Sequence, residues 1–198
     1  MVAVRESQAG FTLTELMVVV VILSLLAALS TPLFTRDNNA RKGRGWAQIV
    51  AQTLQRARFQ AMGDRSPVHL LFYRTHIDMY REEPPSPPTT TTTTLTQLSS
   101  IPGPAADGDK TVAIWNVQNN GTVPSLQDSN LTGVSSPPTL SAPRPNEIIF
   151  TTLGGVSGSS DRFIFIRNEL LPPNHPDAYF RVTVRWLTGY VSSSEMVH

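Results

Sequence analysis

The stretch that decides the fold reads FTLTELMVVVVILSLLAALSTPLF and runs from Phe11 to Phe34. Between Leu16 and Leu29 its only polar residue is Ser24. As a helix it would span about 36 Å, enough to cross a hydrocarbon core of roughly 30 Å. A helix of a water-soluble domain normally has a polar face, and this stretch has none over about four turns. It therefore predicts a membrane helix over residues 11–34.

Three kinds of segment have this apolar length. One is a permanent signal anchor, and another is a secretory signal peptide with Ala28 and Ser30 before a cut that precedes Thr31. The third is cut on the cytoplasmic side of the apolar run, so that the helix stays attached. Glu15 bears on the choice, because an ionised carboxylate in an apolar helix costs up to about 3 kcal/mol and is retained more readily if it has a partner.

The residues around Glu15 resemble the prepilin motif of type IV pilins and type II secretion pseudopilins, with the run Gly10-Phe11-Thr12-Leu13-Thr14-Glu15-Leu16. In that motif a glycine precedes a phenylalanine, and glutamate is fifth in the mature chain. The apolar run Met17–Leu29 and Pro32 are in the same register. The resemblance implies cleavage between Gly10 and Phe11 by prepilin peptidase and N-methylation of Phe11. It also implies that Glu15 pairs with the Phe11 amine of a neighbouring subunit, an interaction that is strong where water is excluded.

The flanking charges alone would orient the helix the other way. The leader contains Arg5 beside Glu6, whereas the basic residues Arg36, Arg41, Lys42 and Arg44 follow the apolar run. The cleavage motif outweighs this count, because a peptidase that faces the cytoplasm requires the leader to be inside. We therefore expect a leader peptide at residues 1–10, a transmembrane and filament-core helix at 11–34, and an extracytoplasmic domain at 35–198. The protein would lie in the bacterial inner membrane with this domain in the periplasm, and then in a filament. The basic residues would meet lipid headgroups, acidic neighbouring subunits or only solvent.

Beyond the apolar run the helical pattern becomes amphipathic. Pro32 predicts a helix kink, because proline lacks the backbone donor and crowds the preceding turn. Apolar residues then recur at helical spacing along one face, namely Trp46, Val50, Leu54, Ala57 and Ala61. Gly63 is typical of the residue just past a helix end, and Gly43 to Gly45 predict weakened order.

Seven later segments have the composition of strands: Val68–Arg74, Ile77–Arg81, Val112–Val117, Glu147–Thr152, Arg162–Arg167, Tyr179–Leu187 and Tyr190–Val191. Thr75-His76 predicts a tight hairpin between the first two. A long N-terminal helix, half transmembrane and half amphipathic, packed on an antiparallel β-sheet gives an α+β fold.

Two insertions interrupt this domain. The run Pro84-Pro85-Ser86-Pro87-Pro88 and six threonines that end at Thr94 predict a flexible loop over 84–94, because such residues bury little apolar surface. Ser135 to Pro145 predicts a second mobile segment.

Several short runs resemble the GspH/FimT/FimU group of minor pilins and pseudopilins: Leu54–Gly63, Val68-His69-Leu70, Phe150–Gly155 and Val182–Val191. The chain departs from many major pilins, which close a C-terminal loop with a disulfide, because it has no cysteine. FimT relatives implicated in DNA uptake have arginines just after the glycine that corresponds to Gly189. Here Tyr190-Val191-Ser192 follows, so we do not expect the chain to bind nucleic acid.

The composition also argues against metal, cofactor and catalytic chemistry. A formal net charge of +1 gives no strong overall field, and the absence of cysteine excludes cysteine-ligated metals and thiol catalysis. The four histidines show no metal-ligand spacing and are predicted to be exposed or locally hydrogen-bonded. Asp107-Gly108-Asp109 predicts a plain turn, because an EF-hand needs further acidic positions. No nucleophile–base arrangement is evident, so the chain is not predicted to be an enzyme.

The predicted function is structural: a minor pilin or pseudopilin that helps initiate or cap a type IV pilus or a type II secretion pseudopilus. The alternative is a tip-displayed adhesin or DNA-capture module that uses the variable loops. Expected partners are other pilin or pseudopilin subunits, prepilin peptidase, the inner membrane and its assembly platform.

Overall fold

The computed structural model describes residues 12–83, 93–103, 112–122, 131, 144–172, 175 and 178–195, with the side chains of 29–40, 194 and 195 not described. Within these ranges a helix α1 at Leu13–Asp64 is followed by eight strands: β1 Val68–Phe72, β2 His76–Glu83, β3 Thr94–Pro102, β4 Val112–Gln118, β5 Glu147–Phe150, β6 Arg162–Asn168, β7 Tyr179–Val184 and β8 Val191–Glu195. The chain divides into two compact units, Met1–Asn38 and Asn39–His198.

The predicted amphipathic face of α1 is buried in the second unit. All five of its residues lie in the hydrophobic core: Trp46, Val50, Leu54, Ala57 and Ala61. The helix is unbroken at Gly43 to Gly45, where weakened order was expected. Gly43 instead allows close packing, because a Cβ added there would lie 2.3 Å from a ring carbon of Phe180 on β7. A glycine is needed at position 43 because the ring of Phe180 leaves no room for a side chain, and not because the backbone must be flexible there.

The helix also ends later than predicted. Gly63 is helical, and α1 continues to Asp64. The left-handed conformation that commonly follows a helix is adopted by Arg65, with φ of 50°. The prediction that Gly63 lies past the helix end is therefore wrong, because a non-glycine residue two positions later takes the strained backbone angle.

The strands form two antiparallel sheets, with orders β3-β2-β1-β5 and β4-β6-β7-β8. The α+β class with antiparallel strands is confirmed, while the strands expected in one sheet are divided between two. In the β1–β2 hairpin Val68 pairs with Arg81 and Phe72 with Ile77. The connecting turn lies before His76, which belongs to β2, so it is one residue earlier than Thr75-His76 predicted.

One hydrophobic core joins the buried face of α1 to the inner faces of both sheets. On β1, Val68, Leu70 and Phe72 belong to this core, whereas Leu71 belongs to a separate cluster with Tyr73 and Tyr80. Because successive side chains of a strand point to opposite faces, the alternation places His69 and Leu71 on the face of the first sheet that is turned away from α1.

Strand β3 was not predicted. Its sequence, TLTQLSSIP, is mostly polar, and it occupies an edge of the first sheet. Thr94 is already its first residue, so the predicted loop over 84–94 and this strand overlap by that residue. Residues 84–92 and 135–143, which contain most of the two predicted insertions, lie outside the described residues.

Candidate functional site

The first turn of α1 holds Glu15 in a network with Thr12. The Oε2 atom of Glu15 accepts hydrogen bonds from the Thr12 backbone N at 3.0 Å and from the Thr12 hydroxyl at 2.9 Å. The Glu15 backbone N donates to Thr12 Oγ1 at 3.3 Å. The first helical backbone bond runs from Leu16 N to Thr12 O at 3.2 Å. These contacts make Thr12 the N-cap and Glu15 the third helical residue of a capping box.

Sequence reasoning missed this role of Glu15, although its signal is present. Thr12-Leu13-Thr14-Glu15 has the spacing of a capping box, a threonine followed three residues later by a glutamate. The bonds use Oε2, so Oε1 is not part of the box. The arrangement lets the carboxylate cap its own helix and still offer an oxygen to a further donor.

The structure does not test the predictions for the other site residues. Gly10 and Phe11, the predicted cleavage and methylation positions, lie outside the described residues. Helix α1 continues through Pro32, whose side chain is not described, and the kink there stays a prediction.

Apolar side chains of α1 are exposed from Leu13 to Leu26. Successive helical residues are about 100° apart, so exposure at consecutive positions means an apolar surface on every side of this segment. The hydroxyl of Ser24 donates to Val20 O at 2.7 Å, which satisfies the polar group within the helix. In the part of the chain that the structure describes, no helix has a stretch of the length and hydropathy of a membrane span.

In the second unit, two loops are fastened together beside α1. They are residues 151–156, between β5 and β6, and residues 185–190, between β7 and β8. Arg58 Nε donates to Gly154 O at 3.1 Å, and Val156 N donates to Trp186 O at 2.7 Å. Asp161 accepts from Trp186 N at 3.0 Å and from Arg185 at 2.6 Å. The hydrogen bond from Trp186 N, followed by that from Arg185, holds the pKa of the Asp161 carboxyl below its usual value.

These two loops carry four exposed side chains that we name the loop patch: Leu153, Trp186, Leu187 and Tyr190. Leu153 is 90% exposed, Leu187 70% and Tyr190 60%. Exposed apolar side chains mark an interaction site when they form one large contiguous patch, so these four side chains are a candidate for one. No local sequence signal revealed this patch, because its members come from loops that are far apart along the chain.

The histidines, the acidic residues near position 107 and the basic residues after the apolar run were also considered as functional groups. His69 is buried and hydrogen-bonded to residues far away in sequence, so the predicted exposed or local environment is wrong for it. Among the described residues no group of histidines and carboxylates has the arrangement of a metal site. Asp107, Asp109 and His198 lie outside those residues. Arg41, Lys42 and Arg44 are exposed on α1.

Comparison with known proteins identifies the amino-terminal segment. Residues 5–31 match the family model described as the prokaryotic N-terminal methylation motif. The search of curated proteins found no match.

Solved structures with a similar backbone include a minor pseudopilin and a minor pilin. The minor pseudopilin EpsH from the type 2 secretion system of Vibrio cholerae is 12% identical, with a TM-score of 0.45 over 77% of this chain and 94% of that one. The type IV minor pilin FimU of Pseudomonas aeruginosa is 13% identical, with a TM-score of 0.45 over 81% of this chain and 92% of that one.

The matched segment contains the predicted cleavage positions Gly10 and Phe11, the capping residue Thr12 and the carboxylate of Glu15. The chain therefore carries the prokaryotic N-terminal methylation motif, and the matched residues include Gly10 to Leu16, the run whose sequence predicted such a motif.

Proposed function

We propose that this chain is a minor pilin or pseudopilin subunit that is cut between Gly10 and Phe11 and packs through its N-terminal helix into a type IV pilus or type II secretion pseudopilus. Before assembly the helix holds the subunit in the inner membrane, with the second unit in the periplasm. The subunit helps to initiate or cap the filament. Its partners are other subunits, prepilin peptidase and the inner-membrane assembly platform.

The observation that carries this proposal is the first turn of α1. The methylation motif predicts cleavage that would leave Thr12 as the second residue of the mature chain. Helix α1 begins at Leu13, directly after that N-cap. Glu15 is thus held within one turn of the new amino terminus and leads into apolar residues that are exposed around the helix. This layout supports an apolar helix that packs against other helices and a carboxylate that receives an amine.

Intact-mass analysis of the membrane fraction tests the processing step. The mature chain should begin at Phe11 and carry one added methyl group. Replacing Gly10 by a bulky residue should leave the precursor uncut, because the peptidase must accommodate that position, while Ala28→Leu should leave the processing unchanged. A mature chain that begins at Thr31 would establish ordinary signal-peptide cleavage and refute the filament proposal.

A second function, a tip-displayed binding module, is favoured by the loop patch. Leu153 and Leu187 are strongly exposed on loops that hydrogen bonds hold in place, so a ligand would meet a surface that needs little ordering. A Leu153→Ser, Leu187→Ser double variant should fold normally, because neither side chain is in the core. Normal filament number with at least a tenfold weaker attachment to a surface would favour this function. Lost filaments with normal processing would instead assign the patch to contacts between subunits.

A further inference from the structure

His69 lies between two carboxylates on the first sheet. Its side chain is 5% exposed. Its Nδ1 is 2.6 Å from Glu147 Oε1, and its Nε2 is 2.7 Å from Glu82 Oε1. Ionised carboxylates only accept hydrogen bonds, so both ring nitrogens donate together only when the imidazole is doubly protonated. The distances therefore fit an imidazolium held between two carboxylates.

The strand register produces this arrangement. His69 on β1 pairs with Tyr80 on β2 and with Ile149 on β5. Glu82 lies two residues beyond Tyr80, and Glu147 lies two residues before Ile149. Both carboxylates are therefore diagonal neighbours of His69 on the same face of the sheet. Since β1 is hydrogen-bonded to both strands, one side chain can connect all three.

Other ionisable groups surround this cluster. Tyr80 lies opposite His69 on β2. Asp78 and His76 precede it by two and four residues on the same face of the strand, with His76 Nε2 3.6 Å from Asp78 Oδ2. The backbone N of Arg144, in the segment before β5, donates to Glu147 Oε2 at 3.0 Å. The guanidinium of Arg162 on β6 interacts electrostatically with Glu147. One imidazolium and two carboxylates carry a net charge of about −1, which this guanidinium partly offsets.

The charge state of His69 follows from two opposing effects. Burial disfavours the charged ring and lowers its pKa. The hydrogen bonds and negative charges of Glu147 and Glu82 favour the charged ring and outweigh burial, so that the pKa of His69 is raised above its ordinary value.

The position of the two carboxylates along the chain gives the cluster a role. Glu82 is two residues before Pro84, where the proline- and threonine-rich insertion begins. Glu147 is two residues after Pro145, where the second long insertion ends. His69 therefore fastens to β1 the two points at which these insertions join the first sheet.

We propose that His69, doubly protonated between Glu82 and Glu147, is a pH-sensitive clasp that holds the end of β2 and the start of β5 to β1. When the ring loses a proton, one nitrogen stops donating, and the carboxylate beside it, Glu147 at 5% exposure or Glu82 at 26%, then faces a lone pair. The folded pKa lies above the unfolded value of about 6.5, so the contribution is complete below that value and is lost as pH rises through the folded pKa. Between the two values the constant for local opening rises about tenfold per pH unit.

The test uses the full-length chain in detergent micelles. Nitrogen NMR of the His69 ring reports its protonation from about pH 5 to about pH 10, and amide hydrogen exchange, corrected for its intrinsic pH dependence, reports the opening of β1 and β5. We expect both nitrogens to be protonated below an apparent pKa above about 6.5. Opening at β5 should increase through the same titration, relative to β6 and β7. A neutral ring at neutral pH, or opening that does not change with His69 titration, would overturn the proposal.

Variants separate the clasp from a general packing role. Glu82→Gln and Glu147→Gln each keep the size and an acceptor oxygen while removing one charge, so each should lower the pKa of His69 and weaken the pH dependence. His69→Gln should abolish that dependence. The matched control is His76→Gln, whose parent side chain is 35% exposed, and it should keep the wild-type profile. If His69→Gln does not fold, Glu82→Gln and Glu147→Gln still decide, since an unchanged pKa of His69 in both of them contradicts the clasp.

Discussion

The carboxylate of Glu15 has two roles, one in capping the helix and one in the proposed contact between subunits. In the single chain its Oε2 accepts two hydrogen bonds from Thr12 and caps the helix. In the proposed filament the same carboxylate pairs with the Phe11 amine of a neighbour. The capping bonds supply polar partners for a group that an apolar surrounding would otherwise leave unsatisfied, which reduces the cost of retaining it before assembly. The cap and the ion pair are compatible if the amine approaches Oε1.

Substitutions at Glu15 distinguish the two roles. Glutamine can serve at this position of a capping box, so Glu15→Gln should preserve the helix start, membrane insertion and cleavage. It removes the charge, however, and crosslinking to neighbouring subunits should fall as far as it does in Glu15→Ala. The measurement is crosslinking yield together with filament number, with processing checked by mass.

The converse variant completes this comparison. Thr12→Val removes the capping hydroxyl and leaves the carboxylate, at a cost of about 0.5–2 kcal/mol to the helix start, and should crosslink normally. If Glu15→Gln behaves like the wild type while Glu15→Ala and Thr12→Val fail together, capping alone is the role of Glu15, and pairing with an amine is not needed.

The loops at residues 151–156 and 185–190 pack closely against each other at two glycines. Gly189 has φ of 63°, and a Cβ added there would lie 2.0 Å from Gly154 O. Gly189→Ala must therefore separate the loops or strain the backbone, and we expect it to destabilise the folded chain by about 1–3 kcal/mol. Denaturant unfolding of the purified chain in detergent measures this loss.

A helical glycine supplies the control. Gly63 lies near the end of α1 with open space around a would-be Cβ, so Gly63→Ala should leave the stability unchanged or raise it by up to about 1 kcal/mol. Equal unfolding midpoints for Gly189→Ala and the wild type would show that the loops are not closely packed at this point.

Some helices and strands could be predicted from their local sequence and others could not. The buried face of α1 was predicted, because five apolar residues at helical spacing can face one side only in a helix. Strand β3 was missed, because an edge strand with polar, partly exposed side chains has no apolar alternation to detect. The predicted end of α1 was also misplaced. Gly63 is a residue type that commonly follows a helix, yet the backbone leaves the helical conformation only at Arg65.

For the whole molecule, the sequence predicted an α+β chain with seven of the eight described strands. The structure has a strand at each of those seven places, although β7 ends three residues before the predicted Leu187 and β8 shares only Val191 with the predicted segment. It did not predict that the strands divide into two sheets on one core. Sheet membership depends on which strands pair, and strands such as β1 and β5 lie far apart along the chain. The flexible loop over 84–94 stays a prediction of composition.

The sequence by itself determined what local order can encode: a methylation motif with an apolar helix, the spacing of a capping box, an amphipathic continuation and the alternation of strands. Each depends on residues within a few positions of one another, where helix and strand periods fix which side chains share a face. Tertiary structure alone decided the rest. His69 meets a carboxylate 78 residues away, and Arg58 reaches Gly154 across 96 residues. No local period relates such positions, so only the folding of the sheets and loops onto one core brings them together.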